Sequence, residues 1–219
     1  MTRPKTIDEI DTPAVLIDID RAAANIARAQ AYADKHGIKL RPHIKTHKLP
    51  AIAELQLAAG AIGITCQKVS EAAAMVAGSP AIRDVLITYN ILGAAKLQAL
   101  RALAAKVRLS VVADSAAVVD GLAATFGAAG GEPLPVLVEC DTGARRCGVA
   151  TPEAAAGLAE RIAQARGLVL GGLMTYPPAG GEALIRGESI EWPFGVKDRI
   201  DPPDRLHRQR GDDSLATVA

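Results

Sequence analysis

The sequence predicts an α/β protein whose core is an incomplete parallel β/α barrel. Short apolar runs rich in β-branched residues alternate with amphipathic or alanine-rich segments, which is the pattern of buried parallel strands separated by helices. The alternation continues to about Tyr176 in a chain of 219 residues. A doubly wound open sheet is the competing class, but no Gly-x-Gly-x-x-Gly motif follows a first strand. The barrel is therefore the predicted fold.

The predicted elements follow one another in a regular order. A first strand is expected at residues 13–19, followed by a helix that Asp20 caps and Gly37 ends. From residue 38 onward the sequence contains about six β/α units, whereas a closed barrel needs eight. Their strands are predicted at 38–45, 61–66, 84–89, 107–113, 135–140 and 168–175. Their helices are predicted at about 50–59, 70–77, 94–105, 115–126 and 152–165.

The character of the chain changes after Gly181. Residues 182–219 contain only three alanines but hold the single tryptophan, and charged residues and proline dominate the segment. One interpretation is an unstructured tail. The other is out-of-frame translation from about Glu182, because the change falls where another β/α unit should begin. The predicted division is thus a partial barrel at 1–181 and an unstructured or out-of-frame tail at 182–219.

Composition and charge exclude several function classes. The net charge is +1 and aromatic residues make up 3%, which argues against nucleic acid and anionic membranes as partners. The three cysteines, Cys66, Cys140 and Cys147, are odd in number and follow no metal-ligand spacing, so they read as reduced thiols. No signal peptide or apolar stretch of about 18 residues is visible. A cytoplasmic protein is expected.

The densest group of reactive side chains is RPHIKTHK at residues 41–48, at the carboxyl end of the first predicted barrel strand. Strand alternation predicts that His43, Lys45 and His47 share one side, with Ile44 on the other. A lysine kept from water beside other cations tends to be neutral, as Schiff-base chemistry requires. The alternative is a basic loop that faces solvent. The carboxyl ends of barrel strands are where active sites lie.

RPHIKTHK resembles the cofactor-lysine motif of the D-threonine aldolase and D-serine dehydratase family. The amino-terminal domain of that family is similar to that of alanine racemase, a (β/α)8 TIM barrel of the fold type III pyridoxal-phosphate enzymes. DTPAVLIDIDRAAANI at 11–26 resembles its amino-terminal strand and first helix, and ITCQKVSEA at 64–72 its second strand and turn. The similarity covers about residues 8–181. It implies pyridoxal 5'-phosphate as the cofactor, bound covalently by Lys45.

Further site residues are implied by the same resemblance. Residues 141–148 are similar to a D-x-G-x-x-R-x-G loop, which implies that Arg146 lies near the phenolic oxygen of the cofactor ring. Residues 171–176 resemble the strand whose last residue lies against the pyridine face, which implies that Tyr176 stacks on the cofactor. His43 and Gln67 are the remaining cofactor-binding candidates. The plainer alternatives are a surface ion pair for Arg146, packing for Tyr176 and a satisfied loop amide for Gln67.

The chain also departs from the family pattern. The family takes its phosphate-binding glycines from later barrel strands, and a carboxyl-terminal β-domain supplies the ligands of a divalent metal such as Mn, Zn or Mg. Neither element has a match before residue 219. The resemblance therefore implies a truncated barrel, without the β-domain, that lacks phosphate contacts and metal ligands. It also implies a small D-amino acid as substrate and a dimer as the usual assembly.

The implied function is that of a pyridoxal-phosphate-dependent lyase acting on D-amino acids. The aldolase branch, which cleaves D-threonine to glycine and acetaldehyde, is favoured by RPHIKTHK together with GGLMTYP. One alternative is a D-serine dehydratase, which releases ammonia. Another is an inactive fragment or a non-catalytic protein that binds pyridoxal phosphate.

Overall fold

The structure is a computed structural model that describes residues 6–128 and 131–177. The tail predicted at 182–219 lies outside this part of the chain. Six helices are described, at α1 Ile19–Lys35, α2 Pro50–Ala59, α3 Val69–Gly78, α4 Ala94–Ala104, α5 Ala116–Gly127 and α6 Pro152–Gln164. Five strands are described, at β1 Ile64–Cys66, β2 Asp84–Ile87, β3 Arg108–Ala113, β4 Leu134–Cys140 and β5 Leu168–Thr175. A short 3-10 turn at Ile7–Glu9 precedes them.

The strands form one parallel sheet in which the order along the chain is the order in space, β1-β2-β3-β4-β5. Because parallel crossovers are right-handed, a sequential order places all the connecting helices on one face. A doubly wound sheet would instead reverse its strand order at a switch point. The sheet is thus an arc of a β/α barrel, and the predicted fold class is confirmed.

Two buried layers lie on the two faces of this arc. Val85, Val111 and Val136 are fully buried and belong to the core that the sheet shares with the helices. Leu86 and Val112 alternate with them along the strands, are also buried, and face the other side, which is the barrel interior. Side chains at the carboxyl ends of the strands continue the interior face and form the rim of the barrel.

The first predicted barrel strand is present only in part. The backbone N–H groups of Ile44 and Thr65 donate to the carbonyls of Thr65 and Pro42, at 2.9 and 2.8 Å, and a single parallel bridge joins His43 to Thr65. Pro42 has no N–H to extend the ladder. A turn then begins at Ile44, whose carbonyl accepts the N–H of Lys48 at 2.8 Å. The strand predicted at 38–45 is therefore a short extended segment beside β1.

The strand predicted at 13–19 is wrong. Residues 13–18 form no strand, and Val15 is 94% exposed. Helix α1 begins at Ile19, and its cap is Asp18, not Asp20, because the Asp18 carboxylate accepts the N–H of Arg21 at 3.0 Å. Within the described residues no strand lies beside this segment, and a strand without a partner has no ladder to stabilise it.

No helix in the described residues combines the length and apolar content that a bilayer crossing needs.

Candidate active site

A cavity of about 470 Å³ opens at the carboxyl ends of the strands. Its lining includes all five residues that the sequence singled out, which are His43, Lys45, Gln67, Arg146 and Tyr176. His43 and Lys45 belong to the segment beside β1, and Gln67, Arg146 and Tyr176 follow β1, β4 and β5, so the sheet brings together residues up to 133 positions apart (176 minus 43). This is the end of a β/α barrel at which small molecules bind.

The ring of Tyr176 is where two of the predicted cations meet. The Nζ atom of Lys45 lies 5.6 Å from the ring centroid, and the Cζ atom of Arg146 lies 5.0 Å from it. Both distances fall within the range of cation–π attraction. Neither cation has a carboxylate within ion-pair distance among the described residues. Lys45, Arg146 and Tyr176 therefore present an amine, a guanidinium and an aromatic face to the same space.

The Lys45 segment is anchored from both sides. Ile44 is fully buried in the core, and the backbone N–H of Lys45 donates to Nδ1 of His43 at 3.2 Å. Burial, followed by the charge of Lys45, lowers the pKa of His43 to about 4. A neutral imidazole is what this hydrogen bond requires, since a protonated ring has no acceptor nitrogen. Lys45 itself is half-buried, with its amine at the cavity.

His47 does not share the side of Lys45, contrary to the prediction. The turn over residues 44–47 ends the strand alternation, so the two-residue period no longer holds at His47. Its Nδ1 instead accepts the N–H of Leu49 at 3.0 Å, just before helix α2. Burial lowers the pKa of His47 as well. Only one of the two predicted imidazoles therefore lines the cavity.

Gln67 is placed by a buried carboxylate. Its backbone N–H donates to Glu71 at 2.7 Å, while Lys48, at a φ of +53°, pairs with the other oxygen of Glu71. Burial alone would raise the pKa of Glu71, but the hydrogen bonds from Gln67 and Lys48 outweigh it and the pKa is lowered. The ionised carboxylate thus ties the turn after Lys45 to the loop after β1.

The loop at 141–148 holds Arg146 above the cavity. The carboxylate of Asp141 accepts the N–H groups of Gly143 and Arg145 at 2.9 and 3.0 Å. At Gly148, where φ is +97°, a Cβ atom would lie 2.6 Å from the nitrogen of Asp141. Only glycine allows the loop to close so tightly upon the end of β4. Gly148 of this motif therefore has a structural role, which is to fix the loop that carries Arg146.

Two acidic residues of the site were missed from the sequence. Glu139 is 3% exposed and faces the cavity from β4, and its Oε1 accepts the thiol of Cys147 at 3.0 Å. Asp114 directly follows β3, lines the cavity and accepts the N–H of Gly148 at 3.4 Å. The available signal was a charged residue near the end of an otherwise apolar strand, LPVLVEC.

Comparison with known proteins identifies the family to which the chain belongs. Residues 17–189 match the family described as alanine racemase, N-terminal domain, so the chain belongs to that family. Among curated proteins, it is 41% identical to the D-threonine aldolase of Arthrobacter sp. over 167 residues, which are 76% of this chain and 43% of that protein. It is 38% identical to the D-threo-3-hydroxyaspartate dehydratase of Delftia sp. over 172 residues, or 78% and 44% of the two chains.

The solved structures give the same picture. The D-threonine aldolase of Filomicrobium marinum superposes with a TM-score of 0.72 at 41% identity, over 76% of this chain and 44% of that one. The chain thus spans about half the length of the relatives that it matches. The family resemblance inferred from RPHIKTHK is confirmed.

Proposed function

We propose that the chain is the cofactor-holding half of a pyridoxal-phosphate-dependent lyase for β-hydroxy D-amino acids, of the D-threonine aldolase type. One observation carries the proposal: the Lys45 amine and the Arg146 guanidinium converge on the ring of Tyr176 in a cavity at the carboxyl end of the sheet. The D-threonine aldolase relatives support the reaction class. The proposal includes the division of the chain into a partial barrel at 1–181 and a tail at 182–219.

The residues present fit the cofactor. Pyridoxal phosphate is a flat aromatic aldehyde with a phenolic oxygen, and the cavity offers an amine, a guanidinium and an aromatic face around one space. When bound, the cofactor supplies an electron sink for breaking a bond beside the α-carbon. Lys45 would hold it covalently, Tyr176 would pack on its ring, and Arg146 would donate to its phenolic oxygen. His43 holds the backbone of Lys45, and Gln67 borders the same space.

The remaining parts of the proposal concern the whole protein. Among the described residues, no group of three or more His, Cys, Asp or Glu side chains is placed to hold a metal ion. As the family resemblance implies, a divalent metal, the phosphate contacts and the closing strands of the barrel would come from residues outside the described part. We further propose a cytoplasmic protein that acts on a free D-amino acid and forms a dimer, as the family resemblance implies.

Covalent trapping tests the central assignment. The purified chain mixed with pyridoxal phosphate should show an absorption band in the visible, and borohydride reduction should leave the label on Lys45. Lys45→Ala should lose the band and the label. Lys96→Ala is the matched control, because Lys96 is the other lysine that lines the cavity among the described residues. A label on Lys96, or a band that persists in Lys45→Ala, would contradict the proposal.

A second candidate reaction is dehydration, because the Delftia relative is a D-threo-3-hydroxyaspartate dehydratase. The products separate the two classes. Release of glycine and an aldehyde from D-threonine, with and without manganese, indicates the aldolase. Release of a keto acid and ammonia from D-serine or D-threo-3-hydroxyaspartate indicates the dehydratase. A chain that is labelled at Lys45 but turns over none of these substrates would be a non-catalytic fragment or carrier.

A further inference from the structure

Glu139 is a carboxylate that the proposed function leaves without a role. It faces the cavity from the carboxyl end of β4, and only 3% of it is exposed. A buried carboxyl group is costly unless polar partners compensate it. Its Oε1 accepts a hydrogen bond from the thiol of Cys147 at 3.0 Å, and Cys147 directly follows Arg146 in the sequence. The side chain of Glu139 is therefore hydrogen-bonded to the residue next to Arg146.

The loop that carries Arg146 is tied to β4 at three points. The N–H of Val149 donates to the carbonyl of Glu139 at 2.8 Å, and the N–H of Asp141 donates to the carbonyl of Val149 at 2.9 Å. These two bonds close the base of the loop. The bond between Cys147 and the carboxylate is the third tie, and it alone comes from inside the cavity.

Among the described residues, the ionisable groups that act on the pKa of Glu139 are Cys147 and Arg146 from the loop and Asp114 from the connection between β3 and α5. Burial raises the pKa of Glu139, Asp114 raises it further, and Arg146 opposes both. Burial, with Glu139 next, raises the pKa of Cys147 to about 11, while Arg146 lowers it. The pKa of the Cys147 thiol therefore depends on the charges of both Glu139 and Arg146, so the reactivity of this thiol reports on the placement of both side chains.

We propose that Glu139 is a positioning residue that holds the Arg146 guanidinium over the ring of Tyr176. It does so through the hydrogen bond to Cys147 and through the attraction between carboxylate and guanidinium. The consequence for the cofactor rests on the proposed function, in which Arg146 contacts pyridoxal phosphate. The positioning itself involves only residues of this chain.

The rate at which iodoacetamide alkylates Cys147 tests the positioning without any cofactor. In Glu139→Gln the charge that raises the thiol pKa is removed, so alkylation at pH 8 should be faster. The thiolate gains in abundance but loses nucleophilicity, so the rate should rise about threefold for each unit by which the pKa falls. Site-resolved mass spectrometry separates Cys147 from Cys140, whose pKa also responds to Glu139, and from Cys66, which is buried and serves as the internal reference.

The deciding comparison is a double-mutant cycle with Arg146. Arg146→Gln should slow alkylation of Cys147, because the cation that favours the thiolate is gone. In the Glu139→Gln background the same change should have a smaller effect, because the guanidinium is no longer held beside the thiol. Equal factors in both backgrounds would overturn the proposal. Arg145→Gln is the matched control, since Arg145 is the adjacent arginine and does not line the cavity.

A second pair of variants covers the case in which Glu139→Gln does not fold. Cys147→Ala removes the tie but keeps the carboxylate, and should weaken pyridoxal phosphate binding about threefold, whereas Cys147→Ser should restore it with a hydroxyl donor. Equal binding by Cys147→Ala and the wild type would contradict the positioning role. If wild-type Lys45 takes no borohydride label, the proposed function fails, and the thiol cycle still decides the role of Glu139. If Lys45 is labelled but the cycle is additive, only the positioning role fails.

Discussion

The two ends of the same sheet use charge in opposite ways. At the amino end of β2, Asp84 is 7% exposed, and its carboxylate pairs with Arg41 at 2.8 Å and with Arg108 at 2.5 Å. At the carboxyl end, Lys45 and Arg146 have no carboxylate within ion-pair distance among the described residues and share an aromatic ring. The ion pairs of Asp84 stabilise the fold at one end, and the two cavity cations at the other end are available for a ligand.

The largest effect on stability is expected from a change at the amino end of the sheet. Asp84→Asn should lower the free energy of unfolding by about 2 kcal/mol, because it leaves the partly buried guanidinium of Arg41 without its counter-charge. The estimate stays low because Arg108, the other partner, is largely exposed. Lys45→Met should change the same quantity by less than about 0.5 kcal/mol. Denaturant unfolding measures both, and equal losses in the two variants would remove the contrast between the ends.

A second comparison applies the same change to a glycine at each end. A Cβ atom at Gly167, before β5, would lie 2.5 Å from the backbone of Gly127, and one at Gly148 would lie 2.6 Å from the backbone of Asp141. Both glycines have positive φ, so Gly167→Ala and Gly148→Ala should each lower the free energy of unfolding by about 2 kcal/mol.

Only the change at Gly148 should also affect binding, because it displaces the loop that carries Arg146. An absorbance titration with pyridoxal phosphate should show binding weakened several-fold in Gly148→Ala and unchanged in Gly167→Ala. Weakened binding in both variants would mean that the two ends are not separable.

A third prediction concerns the aromatic ring at the carboxyl end. Tyr176→Leu should weaken pyridoxal phosphate binding about fivefold, because it removes the face on which the cofactor and both cations pack. Tyr176→Phe keeps that face and should bind within about twofold of the wild type. Tyr89→Leu is the matched control, because Tyr89 is at the same rim but is 55% exposed. An equal loss in Tyr89→Leu would place the ring contact elsewhere.

The sequence predicted the elements best where local signals bounded them. Strand β5 matches its predicted limits, and helix α2 runs from Pro50 to the residue before Gly60, as predicted. The prediction of a strand at 13–19 was wrong because an apolar run with β-branched residues is only a local signal, whereas a strand also needs a neighbour to pair with. The prediction of a full strand at 38–45 was wrong because Pro42 and the turn that follows interrupt the hydrogen-bond ladder.

The site could be predicted only where a motif marked it. RPHIKTHK, the loop at 141–148 and the end of β5 led to Lys45, Arg146 and Tyr176, which the fold brings into one cavity. Their roles stay predictions. Glu139 and Asp114 belong to no recognised motif. That both side chains face the cavity is seen only in the folded structure. His47 was misplaced because the two-residue period was extended through a turn.

The smallest predicted effect is a pH dependence that the carboxyl end adds to stability. Burial and the charge of Lys45 lower the pKa of His43 from 6.5 to about 4. Between those values the unfolded chain binds a proton that the folded chain does not, so stability is lost as the pH falls from about 6.5 towards 4. His43→Gln should reduce this loss by on the order of 1 kcal/mol, a value discounted because the imidazole is only half-buried.

Denaturant unfolding at pH 7 and at pH 4.5 measures this loss as a difference between the two proteins. Lys48 also lowers the pKa of His43, while Glu71 raises it, so both must be retained in the comparison. Lys45→Met should give an intermediate loss, because burial remains and only the nearest cation is removed. If Lys45→Met behaves as the wild type does, the lysine charge does not reach His43, and the two side chains do not share one electrostatic site.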